Sequence, residues 1–197
     1  MKNQSADKMK QAISAGLSEH MRNNAITAAT AVRYHCDGIT AGQMSRILNN
    51  RHAGLSIEMI LKVAADLCVA CSMKVSDETG RVCHPFLEEK ALLSIKAENP
   101  VYQMKKNLAV SIKSRLKDRG LSQTKAVSDN IVSCTRNDLN RIVNLKFDGH
   151  SLAKIVEIAR ELGLSTEMVV NVPGPKTEVD NIVYALAGLN QLEEISV

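Results

Sequence analysis

Aromatic residues make up only 3% of this 197-residue chain, and that scarcity is the first constraint on what it does. Unpaired bases are recognised largely by stacking on aromatic side chains, so single-stranded DNA or RNA is a poor fit as a partner. No apolar run approaches the roughly 20 residues needed to span a bilayer. The opening residues MKNQSADKMK are polar and lack the apolar core of a signal peptide, so a cytoplasmic protein with no membrane partner is expected.

Catalytic and metal-binding signatures are also missing. His20, His35, His52, His84 and His150 share no metal-ligand spacing, and there is neither a His-Glu-x-x-His motif nor a Gly-rich phosphate loop. Ser, Cys and carboxylate residues form no recognisable pairing of nucleophile and base, so the chain is not expected to be an enzyme. The cysteines, Cys36, Cys68, Cys71, Cys83 and Cys134, are odd in number, which argues against a disulfide framework. Cys68-x-x-Cys71 with Cys83-His84 leaves two readings open, a zinc set or core cysteines near a helix end. Adjacent Cys and His suit a single tetrahedral site badly, so neither a metal nor a cofactor is expected.

What is present is a globular composition, 45% hydrophobic and 23% charged, with room for one or two small domains. The net charge of +4 is mildly basic and suits a polyanionic partner. Its distribution says more than its sum. Residues 101–150 carry ten Lys or Arg against four Asp or Glu, whereas residues 151–197 carry three against seven.

The chain also contains itself twice. At a shift of 95 residues, without a gap, Met9, Ile13, Leu17 and Met21 fall on Met104, Leu108, Ile112 and Leu116. Ala31 and Val32 meet Ala126 and Val127, Thr40 meets Thr135, and Arg46, Ile47 and Asn49 meet Arg141, Ile142 and Asn144. Gly54 and Ser56 meet Gly149 and Ser151, and Ile57, Ile60, Leu61, Ala64 and Leu67 meet Leu152, Ile155, Val156, Ala159 and Leu162. About 15 of 67 aligned pairs are identical, where unrelated sequence would give roughly 4.

The apolar spacing in each copy is helical, in steps of three and four. It predicts first helices over residues 7–23 and 102–118, the second stopped by Gly120. Later helices begin at hydroxyl N-caps, Thr27 or Ser122, Thr40 or Thr135, and Ser56 or Ser151. The expected fold is all-α, with an N-terminal domain over residues 1–75, a linker with a short helix over 76–100, a C-terminal domain over 101–172 and a tail over 173–197. The tail predicts a helix near residues 178–194 whose stripe of Ile182, Val183, Leu186, Leu189 and Leu192 is a candidate dimer interface.

The third helix of the second copy is the most distinctive stretch, CTRNDLNRIVNLKFDGHSL. Leu139, Ile142 and Val143 give it an apolar side, while Arg136, Asn137, Asn140, Arg141 and Asn144 face away. Arg can fork onto guanine O6 and N7, and Asn onto adenine N6 and N7. The plainer alternatives stay open: Arg46 and Arg141 on a solvated or ion-paired face, and Asn49 and Asn144 closing the ends of their helices.

With RGLSQTKAV ahead of it and SLAKIVEIARELGLS behind, this copy resembles the lambda-repressor-like (Cro/repressor, or xenobiotic-response-element) helix-turn-helix family, and the first copy is similar. The likeness covers about two thirds of the chain and implies two tandem DNA-binding bundles, each with its third helix in the major groove of double-stranded DNA. Carried over by position, it implies base or phosphate contacts for Thr135, Arg136, Asn137, Asn140, Arg141 and Asn144. Gln123, Lys125 and Lys146 would meet phosphates. In the first copy the matching set is Thr40, Ala41, Gln43, Ser45, Arg46 and Asn49, with Arg51 beside them.

Two departures stand out. The connection between helices two and three is about two residues longer than the family's tight turn, and the first copy has Ala28, Ala41 and Gly42 where long polar readers belong. The leading expectation is therefore a sequence-specific transcriptional regulator, a repressor by occlusion, with a homodimer through the final helix. The rival is a protein-interaction module, such as an antiactivator or antitoxin-like factor, whose helix-turn-helix core grips a protein partner.

Overall fold

Hydroxyl caps and left-handed turns punctuate both halves of the chain at the same places. The computed structural model describes residues 4–83 and 99–173. The first half holds α1 (Gln4–Asn23), α2 (Ala28–Tyr34), α3 (Ala41–Leu48), α4 (Ile57–Asp66) and the strand β1 (Ala70–Ser76). The second repeats the order as α5 (Pro100–Asp118), α6 (Gln123–Ser128), α7 (Arg136–Val143), α8 (Leu152–Glu161) and β2 (Ser165–Asn171). The expected linker helix and tail helix, with Ile182, Val183, Leu186, Leu189 and Leu192, lie outside the described residues.

Local chemistry sets the helix ends. Thr27, Thr40, Ser56, Ser122, Thr135 and Ser151 each accept a backbone N–H three residues on, satisfying donors that the first turn of a helix leaves without partners. Left-handed residues then turn the chain between helices, and they recur in pairs at the repeat spacing: Ala25 and Gly120, Asn50 and Leu145, Gly54 and Gly149, Cys68 and Gly163. The backbone of these four turns is thus duplicated even where the residue is not, whereas the connection between the second and third helices turns at Gly38 in one half and at Asn130, which is not its equivalent, in the other.

The all-α expectation is overturned. Among the described residues 57% lie in helices and 10% in strands, and β1 and β2 form a two-stranded antiparallel sheet. Val69, Met73 and Val75 in the first half, and Leu164 and Met168 in the second, are buried at alternate positions, which is the period of a strand. The register pairs Ala70 with Asn171, Met73 with Met168 and Ser76 with Ser165.

A lone two-stranded ribbon is marginal in water, so helices must cover it. They do so crosswise. The helix α1 packs on β2 and α5 packs on β1, each first helix lying on the strand of the other half, while α4 and α8 flank the strand of their own half. Gly16 on α1 makes the close approach possible, since a Cβ there would meet Val170 Cγ1 at 2.4 Å. A single apolar cluster therefore runs through both halves. Two polar ties also cross it: Glu58 accepts the Leu152 amide at the start of α8 (2.6 Å), and Glu78 pairs with Arg115 (2.6 Å) and Arg119 (2.5 Å) on α5. No helix among the described residues is long and apolar enough to cross a membrane.

Candidate nucleic-acid interface

The helices α3 and α7 each turn one side inward and leave the other exposed. Met44 and Ile47, and Leu139, Ile142 and Val143, are buried, each large side chain contributing roughly 1.5–3 kcal/mol to folding. Thr40, Ala41, Ser45, Arg46, Asn49 and Arg51 are exposed in the first half, with Gln43 half-buried. In the second, Lys125, Thr135, Arg136, Asn137, Asn140, Asn144 and Lys146 are exposed, with Gln123 and Arg141 half-buried.

Exposure does not mean availability, and the hydrogen bonds sort these residues. Arg46 donates to the Ala53 carbonyl, and Arg141 donates from Nη2 to the Asp148 carbonyl at 3.0 Å. Both guanidiniums brace the turn that follows their helix, just before Gly54 and Gly149, whose φ values are +73° and +77°. Asn49 Nδ2 donates to the Ser45 carbonyl (2.7 Å) and Asn144 Nδ2 to the Asn140 carbonyl (2.9 Å), so both close the ends of their helices. Asn144 also ties the Asn140 Oδ1 at 3.0 Å. Thr40 and Thr135 are caps, and Gln43 Oε1 accepts the Thr40 amide (2.9 Å) in a capping box.

What is left uncommitted differs between the halves. Arg136, Asn137, Lys125 and Lys146, together with Gln123, make no side-chain hydrogen bond or ion pair with any described residue. In the first half the same is true of Arg51, while Ala41 and Gly42 offer no polar side chain.

The longer connections before α3 and α7 are packed rather than loose. Cys36 and Ile39 are buried in one and Val132 in the other. Lys62 donates to the Asp37 carbonyl (2.5 Å) in the first half, and Lys154 to the Ser133 carbonyl (3.0 Å) in the second, where Glu161 also accepts the Ser133 amide (2.8 Å). Each connection is thus tied to the fourth helix of its own half.

Sequence reasoning passed over Arg33 and Tyr34. The Arg33 guanidinium stacks over the Tyr34 ring at 5.2 Å from its centroid, and Tyr34 is 66% exposed. A cationic residue beside an aromatic one at the end of a short amphipathic helix was the available signal.

Of the cysteines, Cys36 is buried, Cys71, Cys83 and Cys134 are half-buried, and Cys68 is exposed. Burial pushes the Cys71 thiol up to about 12, and burial is also the first cause raising Cys36, Cys83 and Cys134. Among the described residues no three Cys, His, Asp or Glu side chains are placed to hold a metal ion. His84, the fourth member of the zinc reading, lies outside them.

One Ser–His pair resembles catalytic geometry without its access. Ser14 Oγ and His52 Nε2 share a hydrogen bond of 2.8 Å, yet Ser14 is only 1% exposed. The equivalents in the other half are Ala109 and Phe147, the latter in an edge-to-face contact with Tyr102 at 5.5 Å. The pair fills core volume that its twin fills with apolar side chains.

Comparison with protein-family models, with curated proteins and with solved structures gives no match.

Proposed function

We propose that this chain is a cytoplasmic, non-enzymatic regulator of transcription that binds double-stranded DNA through α3 and α7, most simply a repressor that occludes its site. The observation that carries the reading is the outer face of α7. Arg136 and Asn137 stand side by side at its N-terminal turn, exposed and without a partner among the described residues, and they are the side-chain types that fork onto guanine and adenine. Recognition helices of the helix-turn-helix class, which this stretch resembles, contact base edges with their N-terminal residues. Lys125 and Lys146 lie near enough in sequence to supply phosphate contacts, which set affinity and its salt dependence.

The symmetry of the frame supports the same reading. Paired operator half-sites mirror a two-fold relation between two heads, and they lie about 34–36 Å apart on one face of the duplex. Here the two-fold relation is built within one chain.

The test is selection of duplexes from a random pool by the purified full chain at a stated salt concentration. Enrichment of a recurring sequence is the expected outcome. Retention without enrichment, or none at all, would contradict it.

A second reading has one observation in its favour. Exposed Tyr34, Ala41 and Gly42 make the first head a better surface for a protein partner than for base edges. Such a head leaves α7 free for DNA, and truncating Tyr34 would then weaken partner binding while duplex binding persists.

A further inference from the structure

Most of the pairs that are identical between the two halves are building parts. Met9, Ala31, Ile47, Ile60, Ala64, Leu67, Met73 and their equivalents are buried in the shared core. Thr40 and Ser56 with Thr135 and Ser151 cap helices, Gly54 and Gly149 hold left-handed turns, Arg46 and Arg141 brace those turns, and Asn49 and Asn144 close helices. On the outward side of the third helices, no position outside these caps and braces is shared. Ala41 stands where Arg136 does, Gly42 where Asn137 does, and Ser45 where Asn140 does.

A homodimer cannot separate frame from face in this way, because symmetry makes its two heads identical and its target palindromic. Duplication within one chain removes that constraint. Resting on the DNA-binding reading above, we infer that the target is asymmetric, with one half-site discriminated by Arg136 and Asn137 and the other gripped with little sequence preference. Arg136 and Asn137 call for a guanine and an adenine in the first half-site. In the second, Ala41 has only a methyl group to offer a thymine methyl, Gly42 has nothing, and Arg51 acts on phosphates. The first head then adds affinity and orientation, while the second supplies the address.

The experiment is selection from a random duplex pool by the full chain, followed by guanine-N7 methylation interference and hydroxyl-radical footprinting on a selected duplex. The expected result is a footprint over two half-sites with interference and sequence enrichment confined to one. A single base change there should weaken binding about 5- to 150-fold, against less than about threefold in the other half-site. The triple variant Ala41→Arg, Gly42→Asn and Ser45→Asn, which copies the second face onto the first, should select an inverted repeat of the discriminated half-site. An inverted repeat selected by the unaltered chain would overturn the asymmetry and leave DNA binding standing. Absence of any enriched duplex would remove both readings. The footprint of the unaltered chain decides the matter even if the triple variant does not fold.

Discussion

Met73 lies opposite Met168 across the β ribbon, and the two are also each other's equivalents under the 95-residue repeat. A residue that faces its own duplicate marks the position of a two-fold axis, as at the centre of a symmetric dimer interface. The protein is thus built as a dimer of two fused halves. Each half hands its first helix across the axis to the strand of the other.

That crossed packing makes the halves unfold together. Gly16→Ala places a methyl group against Val170, and overpacking of about 1–3 kcal/mol outweighs the gain of up to about 1 kcal/mol in helix propensity. A net loss of about 1–2 kcal/mol is expected, partly recovered by adding Val170→Ala. Denaturant unfolding should show one transition in every variant, with amide exchange accelerated in both halves.

The left-handed turn after the first helix is occupied by Ala25 in one half, at φ +52°, and Gly120 in the other, at φ +62°. An L side chain there costs roughly 1–2 kcal/mol. Ala25→Gly is expected to raise stability by about 1 kcal/mol and Gly120→Ala to lower it by a similar amount. Paired thermal melts check both.

His52 makes the first half sensitive to acid. Burial, and next the nearby Lys10, hold its pKa below the ordinary 6.5, with Asp7 opposing. As pH falls, the unfolded chain therefore takes up its proton before the folded one does. The contribution is complete above about pH 6.5 and is lost as pH drops through the lowered folded value. The variant Ser14→Ala with His52→Phe copies Ala109 and Phe147, and its denaturation midpoint should fall less between pH 7.5 and pH 5 than that of the unaltered chain.

Arg136 and Arg141 separate recognition from architecture. Arg136→Ala removes no internal hydrogen bond to a described residue and should leave the melting temperature unchanged. Arg141→Ala releases the Asp148 carbonyl and should cost about 1–2 kcal/mol of stability. Equal melting losses for both would undo the distinction.

The helices were legible because their signals are local: a hydroxyl cap, then apolar residues at three and four, then a left-handed turn. The strands were not, because the partner of Ala70 is Asn171, a hundred residues away, and nothing adjacent in sequence announces it. The signal lay in Val69, Cys71, Met73 and Val75, an alternation that continues the gapless repeat beyond the fourth helix and has no use in a helix. The same limit governs the site. Arg46, Asn49, Arg141 and Asn144 recur in both copies, and recurrence signals importance without saying for what. Their hydrogen bonds show that much of it is structural, and the distinctive face is the one that does not recur.

The central claim, that α7 reads duplex DNA, is tested most directly by the affinity of Arg136→Ala at fixed salt for a selected duplex and for a random one. Loss of a base contact predicts about 1–3 kcal/mol weaker binding to the selected duplex, with much of the preference over random sequence lost and the fold intact. Unchanged affinity for the selected duplex in a folded variant would contradict it.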